Sequence, residues 1–435
     1  MKLIEQNKLT ITVTDASGKS SSSAHGFCVD FRPTAHGFAA YINGSCKAGL
    51  SGENSIVITP ENGVNAIAYV AINNTSPFWC SPFFGSRLCD LPKKVQLLLT
   101  QDNGLWHCVL PVCADTFKTL LRGGENGMEI VTYSDCTGLC ECRDQLAFIY
   151  ETGEEPFALL HSCAKTAAAL LGNGLKMRQE RKLDDIFEYF GWCSWDAVQI
   201  WVSEKGLADK AKEFNDQNVP IHFAIIDDFW GNAKHLDTAE QGMDFGDMIN
   251  IMHETTLDRF EGRPGYFPNG MKGAVDALKA AGVAHVGVWF PTTGYWNGYT
   301  HNGPDAKALG EHMFLSQQRL WASVDPPAGG TLVVKPTKED AAAYFTELCS
   351  RVKSWGADFV KIDNQGSYVY YKDTAPVGQA AQSIQYGIEK STHDVFGGAL
   401  INCMGMPSEC MFHRPDSALS RCSNDFMPES REWFA

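Results

Sequence analysis

The sequence has no long hydrophobic run. No stretch approaches the roughly 20 apolar residues that span a bilayer, and the opening Met1-Lys-Leu-Ile-Glu-Gln-Asn-Lys-Leu9 lacks the apolar centre of a secretory leader. Basic charge is scarce. Lys and Arg number 36 against 51 Asp and Glu, for a formal net charge of −15, and no basic stripe marks a nucleic-acid binder. Paired cysteines are missing too, because the 15 Cys are an odd number scattered without even spacing. Free thiols in a reducing compartment account for them most simply, so the expectation is a cytoplasmic protein with neither membrane nor nucleic acid as partner. The cluster Cys136, Cys140, Cys142 has no second Cys or His pair at ligand spacing, so no metal is expected. No Gly-x-Gly-x-x-Gly follows a strand, and there is no Walker loop, His-Glu-x-x-His or Gly-x-Ser-x-Gly. The usual signatures of dinucleotide, nucleotide triphosphate, zinc-peptidase and serine-hydrolase chemistry are thus absent, and no cofactor is expected.

What is present is a globular composition, 44% hydrophobic and 20% charged over 435 residues, enough for two or three domains. Residues 1–155 read as β. Leu9–Thr14 alternates with period two, and Ser55–Thr59, Val64–Ile72, Val95–Leu99, Leu105–Leu110 and Leu146–Tyr150 are short apolar or alternating runs separated by turn clusters. This pattern predicts an N-terminal β-sandwich. An Ala- and Leu-rich stretch ending at Gly172-Asn-Gly174 predicts a helix in a linker over 156–185. From 186 to 435 strand and helix signals alternate. The strands are predicted at Tyr189–Trp195, Ile221–Asp228, His285–Phe290, Phe359–Asp363, Leu400–Met404 and Ala418–Ser423, with helices at Glu204–Asn215, Gly273–Ala281, Glu339–Trp355 and Pro376–Lys390. Alternation means a parallel sheet with right-handed crossovers, either a (β/α)8 barrel or an open doubly wound sheet. Long loops after the second and third strands resemble the active face of a barrel.

Polar or aromatic residues recur at the same end of these strands: Trp195, Asp227 and Asp228, Trp289, Lys361 and Asp363, Cys403, Arg421 and Asp425. One such ending is a helix cap; six converge on one pocket. Asp227 and Asp228 are adjacent, so either both accept hydrogen bonds where the strand ends, or one faces a ligand and the other caps. Trp195 and Trp230 are candidates for stacking platforms or for core. Lys361 and Asp363 share a strand face, where the cation favours the ionised carboxylate. Asp363 and Asp425 suit double-displacement glycoside chemistry, which needs one ionised and one protonated carboxyl about 5–5.5 Å apart. Arg421 either binds substrate hydroxyls or pairs with Asp425, and a tight pair works against proton donation. A metal-dependent alternative would draw on Asp227, Asp228 and His222 or His253, but His222 sits within an apolar strand.

At Gly191-Trp-Cys-Ser-Trp195, Ile225-Ile-Asp-Asp228, Val360-Lys-Ile-Asp363 and Ser420-Arg-Cys-Ser-Asn-Asp425 the chain resembles the retaining α-galactosidases of glycoside hydrolase family 36, especially the raffinose-synthase-like branch. The likeness covers the second region well and the first only as a large β-domain. It implies Asp363 as nucleophile and Asp425 as acid/base. Asp227 and Asp228 would bind the 4- and 6-hydroxyls of galactose, Trp195 and Trp289 would shape the pocket, Lys361 and Arg421 would contact hydroxyls, and Cys403 would close the pocket near the 2-hydroxyl. Asn424 stands where many relatives carry an acid. The expected partners are α-galactosides, and a homo-oligomer is compatible with the reading. The implied reaction is hydrolysis of terminal α-galactosyl residues; the alternatives are galactosyl transfer from galactinol to sucrose, or carbohydrate binding without catalysis. The family's barrel has eight strands followed by a C-terminal β-domain, whereas six are counted here. An unclosed barrel exposes two sheet edges, so the chain as given is expected to fold poorly and to be inactive.

Overall fold

The computed structural model describes residues 3–22, 26–61, 65–240, 243–322 and 324–425. The chain divides into two compact units. The first takes the residues up to Glu180 with Tyr371–Gln382 and Met406–Pro415; the second takes Arg181–Tyr370, Ser383–Gly405 and the residues from Asp416 onward.

The first unit is mostly sheet. Its strands are β1 (Leu9–Thr14), β2 (Ser20–Ser21), β3 (Phe27–Pro33), β4 (Gly37–Ser45), β5 (Ile56–Pro60), β6 (Asn65–Asn74), β7 (Cys80–Arg87), β8 (Val95–Asp102), β9 (Leu105–Pro111), β10 (Lys118–Gly124), β11 (Gly127–Tyr133) and β12 (Glu141–Gly153). Apart from Val64, which lies outside the described residues, the predicted runs fall on strands, but the two sheets of a sandwich do not form separately. All twelve strands join one sheet, ten along a hydrogen-bonded path from β2 to β3, with β6 pairing to β8 and β7 to β6 off that path. Val13 near one end of that path and Phe27 at the other belong to a single apolar cluster with Ile58, Leu98 and Phe148. A flat sheet holds its outer strands far apart, so this one curls round its own core.

A helix over Pro156–Leu171 follows. The Glu155 carboxylate accepts from Phe157 and Ala158 N–H at its start, Pro156 presets the first turn, and Gly172 closes it at φ 60°. Later segments complete the first unit. The Lys118 ammonium meets Glu409 at 2.6 Å with both side chains buried, and Gln96 donates to the Met406 carbonyl at 3.0 Å.

The second unit is built on a six-stranded parallel sheet in chain order: β13 (Gly191–Cys193), β14 (Phe223–Ile226), β17 (His285–Pro291), β20 (Phe359–Asp363), β21 (Leu400–Asn402) and β22 (Leu419–Ser420). Two hairpins interrupt the alternation, β15 (Gly231–Lys234) with β16 (Thr256–Gly262), and β18 (Met313–Ser316) with β19 (Thr331–Val334). Each of the six strands was predicted, although β13 and β22 are only three and two residues long. Helices fall at Glu204–Asp216, Gly270–Ala280 and Lys338–Ser354, and a fourth, Val377–Phe396, belongs to this unit from Ser383 onward. The first is capped by the Ser203 hydroxyl and the third by that of Thr337.

This sheet also curls. Strands β13 and β20 are three places apart, about 14 Å in a flat sheet, yet Lys361 Nζ on β20 comes within 4.0 Å of Cys193 Sγ on β13. Lower on the same face Phe359 packs edge-on to Phe187 and Phe223, at 5.0 and 5.7 Å between centroids. Gly287 makes room for it, since a Cβ there would lie inside the Phe359 ring. The sheet is a curled, open array and not a closed eight-stranded barrel, because among the described residues β13 and β22 do not pair.

Candidate active site

Strand β20 is buried throughout. Its period-two alternation puts Phe359, Lys361 and Asp363 on the concave face, Phe359 at the aromatic floor and the two charged residues at the C-terminal end. The Asp363 carboxylate accepts from the Trp289 indole Nε1 at 2.8 Å through Oδ2 and from the Asn364 N–H at 2.7 Å through Oδ1. The second bond needs a sharp turn, and Asn364 makes it at φ 57°. Two neighbouring strand ends use the same left-handed backbone on non-glycine residues, Phe229 at φ 73° and Met404 at φ 48°. Such strain persists where the surroundings over-determine the chain. Burial pushes the Asp363 carboxyl above its ordinary value, opposed by the Lys361 charge, the Trp289 and Asn364 hydrogen bonds and the Arg421 charge.

Lys361 does lie on the face of Asp363, but its ion-pair partner is a different carboxylate. Its ammonium meets Asp227 Oδ2 at 2.7 Å, with 9% and 4% of the two side chains exposed. Burial works against the ammonium, but Asp227, with Cys193, Cys403 and Asp363, holds its pKa well above the usual lysine value. The Cys193 thiol donates to the same Asp227 oxygen at 3.1 Å. Burial and the Asp227 charge push that thiol up to about 12, so it is a neutral donor. The Ser194 hydroxyl accepts from the Asp227 N–H at 2.9 Å.

Asp228 is equally buried and turned to other partners. It accepts from the Tyr295 hydroxyl at 2.7 Å, the Trp296 indole at 2.6 Å and the Phe229 N–H at 2.6 Å. Burial still pushes it up to about 8, against the pull of these donors. Neither carboxylate is a helix cap, so the option of one ligand-facing and one capping residue does not hold. Tyr295 and Trp296 were not singled out from the sequence. The signal was Pro291-Thr-Thr-Gly-Tyr-Trp296, two aromatics directly after a glycine turn at a strand end, in a stretch read only as a long loop.

On β21 and beyond, Cys403 is fully buried and accepts from Arg421 Nη1 at 3.7 Å. The Arg421 guanidinium also pairs with the Asp425 carboxylate and donates from Nε to the Ser423 carbonyl at 2.8 Å. The open question about Arg421 is thus answered in part, since it holds Asp425. Trp195, 9% exposed, stacks on Phe229 at 5.9 Å and 14°. Trp230 is core: its indole donates to the Trp289 carbonyl at 2.7 Å and its ring packs on Phe260 and Trp355. Asp196, unassigned from the sequence, feels the charges of Asp425 and Arg421, and burial followed by Asp425 raises its carboxyl.

The predicted residues Trp195, Asp227, Asp228, Trp289, Lys361, Asp363, Cys403, Arg421 and Asp425 therefore form one contiguous group at the C-terminal ends of the six strands. Among the described residues, no group of three or more His, Cys, Asp or Glu side chains is arranged to hold a metal ion. Of the proposed alternative ligands, His222 packs edge-on against His285 and Tyr189, and His253 stacks on Trp321 at 3.8 Å. Cys136, Cys140 and Cys142 are free, with the Cys142 thiol on the Ile42 carbonyl at 3.7 Å.

Solved α-galactosidase structures share the fold, two of them as follows. The α-galactosidase TtGalA from Thermus thermophilus, in complex with stachyose, aligns with a TM-score of 0.54 at 13% identity, over 94% of this chain and 79% of its own. The GH36 α-galactosidase AgaB from Geobacillus stearothermophilus aligns with a TM-score of 0.51 at 11% identity, over 94% and 57%. By sequence, the probable galactinol–sucrose galactosyltransferase 6 of Arabidopsis thaliana is 24% identical over 412 residues, 86% of this chain and 53% of its own length. The galactinol–sucrose galactosyltransferase of Pisum sativum is 25% identical over 334 residues, 70% and 41%. The chain spans about half the length of these curated relatives. The family described as raffinose synthase or seed imbibition protein Sip1 matches residues 41–432, nearly the whole chain, and to that family of glycoside-processing enzymes the chain belongs.

Proposed function

We propose that the chain carries the galactosyl-binding and nucleophilic centre of an enzyme that removes terminal α-galactosyl residues by double displacement. The observation that carries this reading is the setting of Asp363, a desolvated carboxylate at a strand end with an indole and a backbone N–H fixing its two oxygens. In the first step one Asp363 oxygen attacks the anomeric carbon, the bond to the leaving oxygen breaks, and Asp425 delivers the proton to that oxygen. In the second, water or a sugar hydroxyl attacks the galactosyl–enzyme, its proton passes to Asp425, and the Asp363 ester bond breaks. Asp425 works as an acid once Arg421 leaves it for a substrate hydroxyl. Asp227, held by Lys361 and Cys193, is a rigid acceptor for one hydroxyl of the sugar, and Asp228, held by Tyr295 and Trp296, meets an adjacent hydroxyl as the donor while it keeps its proton. Trp195, Trp289 and Cys403 shape the walls.

Hydrolysis and transfer differ only in the second nucleophile. The resemblance in fold to α-galactosidases supports the first, and the names of the sequence relatives support the second. Incubation with a 2-fluoro galactoside, followed by peptide mass analysis, should find the adduct on the peptide holding Asp363; an adduct elsewhere, or none in a folded protein, refutes the assignment. Galactinol with sucrose then separates the two outcomes, raffinose for transfer and free galactose for hydrolysis.

A further inference from the structure

A second concavity lies outside the residues just described. About 620 Å³ of space opens between the β15–β16 hairpin, the segment 297–301 and the segment 324–328, within the size range of small-molecule sites. Its walls come from the loops that leave the C-terminal ends of β14 and β17, all in the second unit.

The polar groups on these walls are fixed largely by one another. The Thr256 and Thr300 hydroxyls share a hydrogen bond of 2.9 Å. The Asn297 amide donates to the Asp325 carbonyl at 3.3 Å, and the His301 ring is set by the Gly330 carbonyl at 2.9 Å. The Thr300 hydroxyl also donates to the Thr256 carbonyl at 3.4 Å and the Asn297 amide oxygen accepts from Thr331 at 3.5 Å, yet each group keeps a further donor or acceptor position. Val324, Pro327 and Ala328 supply apolar surface between them. Of the charged groups on the walls, Lys234 pairs with Asp258 at 3.8 Å and Asp325 with Arg319, so no excess of one sign suits a multiply charged ligand. Preset hydroxyl, amide and imidazole groups beside small apolar patches match a neutral polyhydroxylated molecule, whose C–H faces are apolar and whose edges are hydroxyls. The cleft also leans on the scaffold of the candidate active site. Asn297 follows Trp296, which donates to Asp228, and the Trp321 indole donates to the Trp296 carbonyl at 3.4 Å.

We propose that this cleft is a second saccharide-binding site, for a neutral mono- or disaccharide, separate from the residues that would hold the galactosyl group. Its use as the acceptor position in a transfer reaction rests on the proposed function; its capacity to bind sugar does not. The test is calorimetric titration of sucrose with galactose held at saturation. Sucrose should bind while galactose is present. Ala328→Trp, which fills the cleft from an exposed position, and Thr300→Val, which removes one hydroxyl at constant shape, should each weaken it by about tenfold or more, with the melting temperature of Ala328→Trp unchanged. Sucrose that galactose displaces, that binds both variants as well as the parent, or that does not bind at all overturns the proposal. Failure to trap an adduct on Asp363 with sucrose binding intact would sink the proposed function and leave this site standing. A trapped adduct with no sucrose binding would do the reverse.

Discussion

Lys361→Met tests the electrostatic centre of the second unit. The substitution keeps the length of the side chain and removes the ammonium that sits 2.7 Å from Asp227. The pair is almost completely buried, so the carboxylate cannot recover its hydration in water. It keeps the Cys193 thiol at 3.1 Å, a weak donor that does not neutralise charge. Removing one partner of a buried ion pair costs about 3–5 kcal/mol, most of it from stranding the other charge. The double variant Lys361→Met/Asp227→Asn carries no stranded charge and should regain most of the loss. Urea titration followed by tryptophan fluorescence reads both, and Lys205→Met is the control. Its i,i+4 pair with Asp209 is 84% and 63% exposed, and breaking it should leave the midpoint where it was. A Lys361→Met midpoint equal to that of Lys205→Met, or a double variant as weak as the single, would refute the reasoning. The same variant removes a charge that lowers the Asp363 carboxyl. The acid limb of kcat/KM for an aryl α-galactoside should therefore move to higher pH.

Four further outcomes follow from the geometry. The folded chain holds the Asp228 proton up to about pH 8 instead of the ordinary 3.8, so the stability contributed by this group falls as pH rises through that window. Asp228→Asn should thus gain on the parent between pH 5 and 8, by at most about 1.4 kcal/mol per pH unit, and a gap independent of pH would contradict this. Trp289→Phe takes away the indole donor on Asp363 and should move the acid limb of kcat/KM to higher pH while lowering the urea midpoint, since a buried ring shrinks and a buried acceptor is stranded. Cys193→Ala should raise KM for the galactoside about tenfold, while Cys193→Ser, which retains a donor to Asp227, should not; equal effects would mean that the thiol only fills space. Gly287→Ala drives a methyl group into the Phe359 ring and should cost about 1–3 kcal/mol by overpacking, read as a lower melting temperature.

The parallel strands were legible because their signal is local. Phe359–Asp363 is a β-branched and aromatic run that turns abruptly polar, and it forms a strand with those bounds. The strand ends then placed the site residues at one face without further information. What stayed hidden depends on distant chain. Period two puts Lys361 beside Asp363, but its partnership with Asp227 needs the curl of the sheet, which no local pattern encodes. Lys118 shows the same limit in the first unit. A buried lysine opens β10, and the reason it is tolerated is Glu409, 291 positions later. Strand β7 was missed because its residues are mostly exposed and give no alternation to read. The separate sheets of a sandwich were inferred from many short strands; whether such strands close as two sheets or one depends on pairing across the chain.

The pairing of Lys118 with Glu409 also bears on how the protein is made. The first unit is sewn from three pieces of chain, the last of them Met406–Pro415, and the second unit is threaded between those pieces. The first cannot mature as an autonomous block before Met406–Pro415 has been made, nor the second before the residues from Asp416. The N-terminal sheet must wait through more than two hundred residues of the other unit before its buried lysine meets its counter-charge. Contacts of such long sequence separation slow folding and lengthen the life of partly formed states. Synthesis rate and chaperone supply, more than the final stability of either unit, should therefore govern the yield of folded chain.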